Sequence, residues 1–176
     1  MEFVAREDPD LNEAFRGVFP ADKLPSVPYW RVLSDAYIVN TDPEGQPGEH
    51  SLAIWTRNRV CEVFDSYGLP LSTYKNPQLQ AWFKQWKEVI TSDHTLQAMD
   101  SQTCGHYALL FIKAKAKHQS FQDFLPQWNS QNLVLNDRRA GEKIQRLIKT
   151  ELTRNDLSCK QSNVSRCAFC YFYELQ

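Results

Sequence analysis

The stretch DSQTCGHYALLFIKA, residues 100–114, decides the fold of this chain. A polar segment ends at Cys104, and apolar side chains then recur at the spacing that is typical of one face of a helix. These side chains are Tyr107, Ala108, Phe111 and Ile112, and Leu109, Leu110 and Ala114 widen the apolar surface. We therefore predict a buried helix that begins beside Cys104 and is capped by Asp100 or Ser101.

Cys104 is the candidate nucleophile of this helix. In the first helical turn, free N–H groups and the positive end of the helix dipole favour a thiolate. Such positions lower a thiol pKa from about 8.5 to roughly 3.5–7.5. Gly105 leaves the backbone beside the sulfur open to a substrate carbonyl. The alternative is a buried helix cysteine that packs as a small apolar side chain.

A hairpin upstream supplies a candidate base and a candidate acid. The segments SLAIWT and RVCEVFD, residues 51–56 and 59–65, are predicted strands joined by a two-residue turn at 57–58. Counting outward from that turn places His50 directly opposite Asp65, with Cβ atoms roughly 5 Å apart. The carboxylate would fix the imidazole tautomer and leave the other ring nitrogen for a thiol. The alternative is that the two residues only cap two strands.

Gln97 completes the candidate site. It lies on the segment that leads into the Cys104 helix. Its amide, together with the Cys104 backbone N–H, would donate hydrogen bonds to a developing oxyanion. Taken alone, Gln97 is an ordinary loop residue.

Four blocks of sequence carry a resemblance to a known family. They are AYIVNT at 36–41, GEH at 48–50, VFDSYG at 63–68 and LQAMDSQTCG at 96–105. The chain resembles the adenain family over roughly residues 15–125. These are the adenovirus-type cysteine proteases, also carried by Polinton/Maverick elements and distantly related to proteases of ubiquitin-like modifiers.

The resemblance implies a role for each candidate residue. His50 is the general base, Asp65 the orienting acid, Gln97 the oxyanion donor and Cys104 the nucleophile, in the family's own chain order. It also implies a papain-like α+β fold of the adenain/ubiquitin-like protease type, in which a central helix with the cysteine packs on a small mixed sheet.

The same resemblance implies a cysteine endopeptidase that cleaves after small residues, usually Gly, in viral or transposon structural precursors. Two alternatives stay open at this point. One is a protease that removes a ubiquitin-like modifier from its conjugates. The other is a binding module of the same fold with a disabled site.

Two departures from the family pattern bear on this reading. Ser51 follows the candidate base where the family usually has Trp, which removes a large packing surface beside the imidazole. Adenovirus enzymes are also tethered to an activating peptide by a disulfide, and this chain has no cysteine between Cys61 and Cys104 to form that tether. Any activating peptide is therefore expected to bind non-covalently.

Composition predicts a single domain over 1–155, which the resemblance implies is a cysteine protease, and a cysteine-containing tail over 156–176. A chain of 176 residues with 42% hydrophobic content can bury a substantial core. The tail holds three possible thiolate ligands without an obvious fourth, so no metal and no cofactor are expected. These cysteines are Cys159, Cys167 and Cys170.

Charge and hydropathy narrow the expected partners and location. The chain has 20 basic and 21 acidic residues, so only weak, local binding of nucleic acid is expected, at the basic cluster over 113–118. No apolar run approaches the length of a membrane span, and 1–8 does not read as a secretion signal. We expect an intracellular protein, in the nucleus or cytoplasm, or in the virion if viral.

The remaining periodicities predict further elements. Helices are predicted near 10–18, over 76–90, from a Ser120 cap to about Trp128, and over 137–152. A strand is predicted at 36–40, followed by a turn-rich loop at 42–48.

Overall fold

The computed structural model describes residues 2–27 and 33–161, with side chains up to residue 154. It contains a five-stranded mixed sheet with helices on both faces. The strands are β1 Phe15–Pro20, β2 Asp35–Asn40, β3 Ser51–Arg57, β4 Val60–Phe64 and β5 Glu88–Thr91. The helices are α1 Glu2–Glu7, α2 Pro77–Phe83, α3 Cys104–Ala116, α4 Phe121–Phe124 and α5 Leu133–Gln161. Single 3₁₀ turns lie at Leu71–Thr73 and Leu125–Gln127.

The strands lie side by side in chain order, from β1 to β5. The three central strands pair antiparallel, whereas both edge strands pair parallel to their neighbours. The fold is therefore α+β, with the cysteine helix packed on a mixed sheet, as predicted.

Alternate side chains of the central strands enter two separate cores, because successive residues of a strand point to opposite faces. In β3, Ala53 and Trp55 join the core beneath α3, while Leu52 and Ile54 join the core beneath α2. Since both faces are covered, the strand is apolar almost throughout.

The centre of the first core is aromatic. Phe111 of α3 stacks on Phe64 at the end of β4, with ring centroids 4.9 Å apart and planes at 16°. It also contacts Phe121 and Phe124 of α4 at 4.9 and 5.4 Å. These contacts fix α3 against the strand that leads directly into Asp65.

The prediction of a helix over 10–18 is wrong. Its apolar spacing does bury Leu11, Ala14 and Phe15, and Phe15 N–H donates to Leu11 O in one helix-like turn. The chain then extends, because Gly17 takes φ 143° and the following residues pair with β2. Tertiary pairing overrides the local periodicity here.

The helix predicted over 76–90 is correct only in its first half. Asn76 caps α2 through the Leu79 N–H and Pro77 occupies the first turn, as the sequence favours. The helix ends at Phe83, and residues 88–91 instead form the edge strand β5 beside β4. Ile90, the last apolar position of the predicted stripe, is 38% exposed as a result.

The hairpin exists, but its predicted register is wrong by two residues. Arg57 pairs with Val60, so the turn consists of Asn58 and Arg59. Both turn residues have positive φ, 51° and 66°, as a type I′ turn requires. Arg59 adopts this conformation although the sequence disfavours it, which is why counting from 57–58 failed.

Helix boundaries otherwise follow the sequence with small corrections. Thr103, not Asp100 or Ser101, is the N-cap of α3, and Cys104 is the first helical residue. Ser120 caps α4, as predicted, and it does so in a capping box with Asp123. The last helix runs from Leu133 to Gln161 and so extends beyond both ends of the predicted range 137–152.

Candidate active site

His50 and Asp65 form a buried pair where the hairpin strands end. His50 directly precedes β3, Asp65 directly follows β4, and the His50 Nε2 lies 2.7 Å from the Asp65 Oδ1. Their exposed fractions are 6% and 2%. The two-residue register error does not separate the pair, because a shift of two keeps every side chain on its face. The residues meet diagonally instead of directly opposite.

Four hydrogen-bond donors surround the Asp65 carboxylate. Oδ1 accepts from His50 Nε2 and from the Tyr67 N–H at 2.9 Å. Oδ2 accepts from the Tyr74 hydroxyl at 2.6 Å and from the Leu69 N–H at 3.0 Å. Burial alone would raise the pKa of Asp65, but the bonds from His50, Tyr74 and Tyr67 outweigh it and lower the pKa. The carboxylate is therefore ionised at neutral pH.

The turn after β4 wraps around this carboxylate. Gly68 N–H donates to Asp65 O at 3.1 Å, and Gly68 takes φ 67°. A side chain at this position would place its Cβ 2.7 Å from the backbone carbonyl carbon of His94. Glycine therefore permits both the turn and the close approach of the loop that leads to Gln97.

The His50 ring is held by aromatic neighbours and by charge. It stacks on Tyr67, with centroids 4.6 Å apart and planes at 25°, and lies nearly parallel to Tyr74 at 5.9 Å. Burial lowers the pKa of His50, but the hydrogen bond to Asp65 and the interaction with Cys104 raise it to about 9. The ring is therefore an imidazolium at neutral pH.

Cys104 is half-buried at the first position of α3 and faces this imidazolium. Burial raises the pKa of the thiol, but interaction with His50 and hydrogen bonding from the Ser51 N–H and hydroxyl outweigh it and lower the pKa. Because Asp65 occupies Nε2, Nδ1 is the ring atom left for the sulfur. Nδ1 is buried and has no other hydrogen-bond partner within the described part of the chain, and both hydrogen bonding and charge interaction with Cys104 raise the pKa of His50.

Ser51 occupies the position where the resembled family usually has Trp. Its backbone and side chain both act on the Cys104 sulfur. The Ser51 hydroxyl thus adds a hydrogen-bond donor beside the sulfur at a position where Trp would supply a packing surface. The sequence indicated that Ser51 replaces Trp, but it did not indicate that Ser51 acts on the Cys104 sulfur.

Gln97 is fully buried between Asp65's turn and the start of α3. Its Oε1 accepts from the Ser66 hydroxyl at 2.6 Å. Its Nε2 donates to Ser101 O at 2.7 Å and to the Tyr67 oxygen at 3.3 Å. The side chain lies in the site region, yet its donors are already occupied in this conformation.

Backbone donors remain at the start of α3. The first hydrogen bond within the helix joins the Tyr107 N–H to Thr103 O. The N–H groups of Cys104, Gly105 and His106 precede that bond and have no partner within the helix. Donors at a helix N-terminus favour an oxyanion that forms beside the sulfur.

A cleft of about 510 Å³ opens beside His50. It has an apolar wall and a charged rim, and Met99 at its edge is 78% exposed. Its lining includes Pro43, Leu69, Met99, Asp42, Glu49 and Lys75. A space of this size accommodates several side chains of an extended peptide.

Two tyrosines and one aspartate of the site escaped the sequence reasoning. Tyr67 follows Asp65 by two positions, and the bond from its N–H to the carboxylate is an Asx turn, which the sequence Asp-Ser-Tyr-Gly could have signalled. Tyr74 donates to Asp65 from the loop before α2, and Asp137 of α5 accepts from the Thr103 hydroxyl beside Cys104. No local pattern marks either residue.

The basic cluster at the end of α3 is paired with acids. Lys113 and Lys117 contact Asp10, at 3.3 and 3.2 Å, and Lys113 also pairs with the buried Asp8. Lys115 pairs with Glu62 at 2.7 Å. This cluster therefore offers little free positive charge to nucleic acid.

Within the described ranges, no group of three or more His, Cys, Asp or Glu side chains has the arrangement of a metal site. The predicted tail cysteines, Cys159, Cys167 and Cys170, have side chains that lie outside the described residues. In the same described ranges, no helix is both long and apolar enough to cross a bilayer.

Comparison with known proteins gives a limited likeness. No protein-family model and no curated protein matches the chain.

Two crystal structures of the ASFV pS273R protease, one of them the Se-Met form, are similar to it. The Se-Met form is 21% identical with a TM-score of 0.44, and the match covers 61% of this chain and 43% of that chain. The second is 20% identical with a TM-score of 0.43, over 61% and 42%. The match thus spans less than half of either protease chain. At this level it assigns neither site residues nor substrate.

Proposed function

We propose that this chain is a cysteine endopeptidase in which Cys104 is the nucleophile, His50 the general acid and base, and Asp65 the orienting acid. The observation that carries the proposal is the buried His50–Asp65 pair, 2.7 Å apart, which faces a half-exposed thiol at the first position of a helix. One hairpin and the start of α3 supply these groups, and their charges favour an imidazolium–thiolate pair.

The proposed acylation begins from that ion pair. The Cys104 thiolate attacks the scissile carbonyl carbon, and the new C–S bond moves an electron pair to the carbonyl oxygen. Backbone N–H groups at the start of α3 stabilise this oxyanion. As the tetrahedral intermediate collapses, the C–N bond breaks and the His50 Nδ1–H protonates the leaving amine. The products are a free amine and a thioester at Cys104.

Deacylation restores the starting state. His50, now neutral, accepts a proton from water at Nδ1 while the water oxygen attacks the thioester carbon. The C–S bond breaks, the acid product leaves, and the thiolate again faces an imidazolium. Asp65 accepts a hydrogen bond from Nε2 in every step and needs no proton of its own.

Gln97 remains a proposed oxyanion donor, on the strength of the family resemblance. In the present conformation its Nε2 donates to Ser101 O and the Tyr67 oxygen. To serve an oxyanion, one of these bonds must be exchanged when substrate binds. The backbone donors of α3 need no such exchange.

For the substrate, we propose a protein with Gly near the scissile bond, as the resemblance to adenain-type proteases implies. The cleft beside His50 has room for neighbouring side chains of such a peptide. The mapping of cleaved bonds in a proteome-derived peptide library tests this specificity. Parallel incubation with ubiquitin-like conjugates tests the alternative of a modifier protease.

Covalent labelling tests the catalytic assignment. A peptide vinyl sulfone ending in Gly is expected to add to Cys104 at neutral pH under reducing conditions, as located by mass spectrometry. Cys61 is fully buried and its thiol pKa is raised, so it is the matched internal control and stays unlabelled. The variant Cys104→Ala is expected to lose both labelling and peptide cleavage.

Two outcomes would contradict the proposal. An absence of any Cys104 adduct under these conditions favours a binding module with a disabled site. Cleavage that persists in Cys104→Ala belongs to another residue.

A further inference from the structure

One carboxylate of α5 contacts the segment that carries the nucleophile at three points. Asp137 Oδ2 accepts from the Ala98 N–H at 3.1 Å. Asp137 Oδ1 accepts from the Thr103 hydroxyl at 2.9 Å and lies 3.0 Å from the Tyr107 hydroxyl. No role in the proposed chemistry accounts for this concentration of bonds.

In the sequence, the three residues that contact Asp137 lie on both sides of Cys104. Ala98 directly follows Gln97, Thr103 is the N-cap of α3 directly before Cys104, and Tyr107 is buried in the first turn after it. The Thr103 hydroxyl also pairs with the Ser101 hydroxyl at 2.8 Å. One side chain therefore links the loop before the nucleophile to the helix after it.

The neighbouring Asn136 anchors this side chain to the same loop. It is fully buried, and its Nδ2 donates to Leu96 O at 3.1 Å and to Asn129 O at 2.8 Å. The Tyr107 hydroxyl also lies 3.0 Å from Leu96 O. Because Asn136 fixes the first turns of α5, Asp137 has little freedom to move relative to Cys104.

The N-cap position of α3 is otherwise weakly held. Thr103 makes no side-chain capping bond to its own helix, because its hydroxyl is turned toward Asp137. A helix that gives up its cap loses local stability. Here the same hydroxyl instead ties the start of α3 to α5.

We propose that Asp137 is a positioning residue that fixes the first turn of α3, and with it the Cys104 sulfur, against the His50 ring. This inference rests on the proposed function for its effect on catalysis. Its structural effect, the placement of the sulfur beside the imidazolium, is measurable even if the chain cleaves no peptide.

The pH dependence of Cys104 alkylation separates this role from a simple charge effect. Loss of the Asp137 charge alone would favour a nearby thiolate and move the alkylation midpoint to lower pH. Loss of positioning takes the sulfur away from His50 and moves the midpoint to higher pH. The other ionisable groups that act on or near the sulfur, which are His50, Asp65, Tyr67, Tyr74 and Asp100, stay unchanged in the variants.

The test compares Asp137→Asn with Glu142→Gln in the full chain. Both variants replace a carboxylate of α5 by an amide, but the Glu142 side chain is 45% exposed and pairs with Arg138 on its own helix at 3.0 Å. We expect Asp137→Asn to raise the midpoint of iodoacetamide alkylation by about one pH unit, and Glu142→Gln to leave it unchanged. In peptide cleavage, kcat of Asp137→Asn falls about ten- to a hundredfold, while KM changes less than threefold.

Thr103 supplies the second pair of variants. Thr103→Val removes the hydroxyl at nearly constant volume and is expected to raise the midpoint as Asp137→Asn does. Thr103→Ser keeps the hydroxyl and restores most of the alkylation rate. The double variant Thr103→Val/Asp137→Asn shows less than the sum of the single effects, because both remove one contact.

A failure of the positioning role and a failure of the proposed protease activity give different results. A midpoint that stays constant or falls in Asp137→Asn overturns the positioning role, even if the melting temperature drops. A wild-type chain with a low alkylation midpoint but no peptide cleavage refutes the proposed protease activity and leaves the positioning role to be decided by the alkylation data alone.

Discussion

The Asp65 carboxylate sets the protonation state of the site. With four donors around its two oxygens, it is both oriented and stabilised as an anion in a place that solvent barely reaches. The anion holds the proton on His50 Nε2 and so fixes which ring nitrogen serves the sulfur. Without such a partner, a buried imidazole would lose its proton and the thiolate its counter-charge.

Substitution of Asp65 should shift the alkaline limit of activity. The pKa of His50 is raised to about 9, so the imidazolium that protonates the leaving amine is lost as the pH rises through about 9. Burial lowers the pKa of His50, and the hydrogen bond to Asp65 is the largest interaction that raises it. Asp65→Asn weakens that interaction. We expect the alkaline limb of kcat/KM to move down by about one pH unit or more, with lower activity at neutral pH.

An exposed His–Asp pair provides the control for this prediction. Asp93 lies 2.8 Å from His94, and its side chain is 91% exposed. Asp93→Asn makes the same chemical change and should leave the pH profile of peptide cleavage unaltered. If the two variants give the same alkaline limb, Asp65 does not govern the protonation of His50.

The main residues of the candidate site could be predicted from the sequence, but the residues that hold them in place could not. His50, Asp65 and Cys104 are recognisable because each stands at the end or start of a periodic element. Tyr74 reaches Asp65, and Asp137 reaches Thr103 beside Cys104, only after separate loops and helices are brought together. No local rule reports the second kind of contact, because it depends on tertiary packing.

Among the elements, the α3 helix was predicted correctly in type but not in its N-cap, which is Thr103. Its long apolar stripe leaves no other periodicity to compete. Strand β1 and the strand β5 were missed because their sequences are short and amphipathic in helical register. Both lie at sheet edges, where pairing with one neighbour decides the structure.

The hairpin turn offers a direct test of the observed register. Arg59 is exposed and has φ 66°, a conformation that glycine adopts without steric cost. Arg59→Gly creates an Asn-Gly type I′ turn and should stabilise the chain by about 0.5–1 kcal/mol in urea denaturation. The hydrogen bond from the Lys87 N–H to the backbone oxygen of residue 59 is retained.

The adjacent arginine is the matched control. Arg57 lies in β3 and pairs with Val60, so Arg57→Gly places glycine inside a strand and should destabilise the chain. The originally predicted turn at 57–58 would give the opposite order of stabilities.

The two cores share one sheet, and this sharing should make unfolding cooperative. Side chains of β2 and β3 enter both cores alternately, so neither layer can lose its packing while the sheet stays intact. The residues of the candidate site lie at the end of the sheet that the two cores share, so their geometry depends on both cores. A change far from Cys104 is therefore expected to lower the stability of the site as well.

Leu79 tests this coupling from the layer that lacks Cys104. It is fully buried in the core beneath α2, and Leu79→Ala should cost about 2–5 kcal/mol of unfolding free energy. Val134 is 72% exposed, and Val134→Ala should change the unfolding free energy by less than about 0.5 kcal/mol. Tryptophan fluorescence and circular dichroism should report one coincident urea transition for Leu79→Ala. Two separate transitions would show that the layers unfold independently.

The chain order of the site also governs when it is completed during synthesis. Because strands β1 to β5 lie side by side in the order in which they leave the ribosome, the hairpin that holds His50 and Asp65 can form before Cys104 emerges. Asp137 emerges later still, on the long final helix of the described chain. If Asp137 positions the sulfur as proposed, the Cys104 thiol gains its full reactivity only after α5 docks, when most of the described chain has already been synthesised.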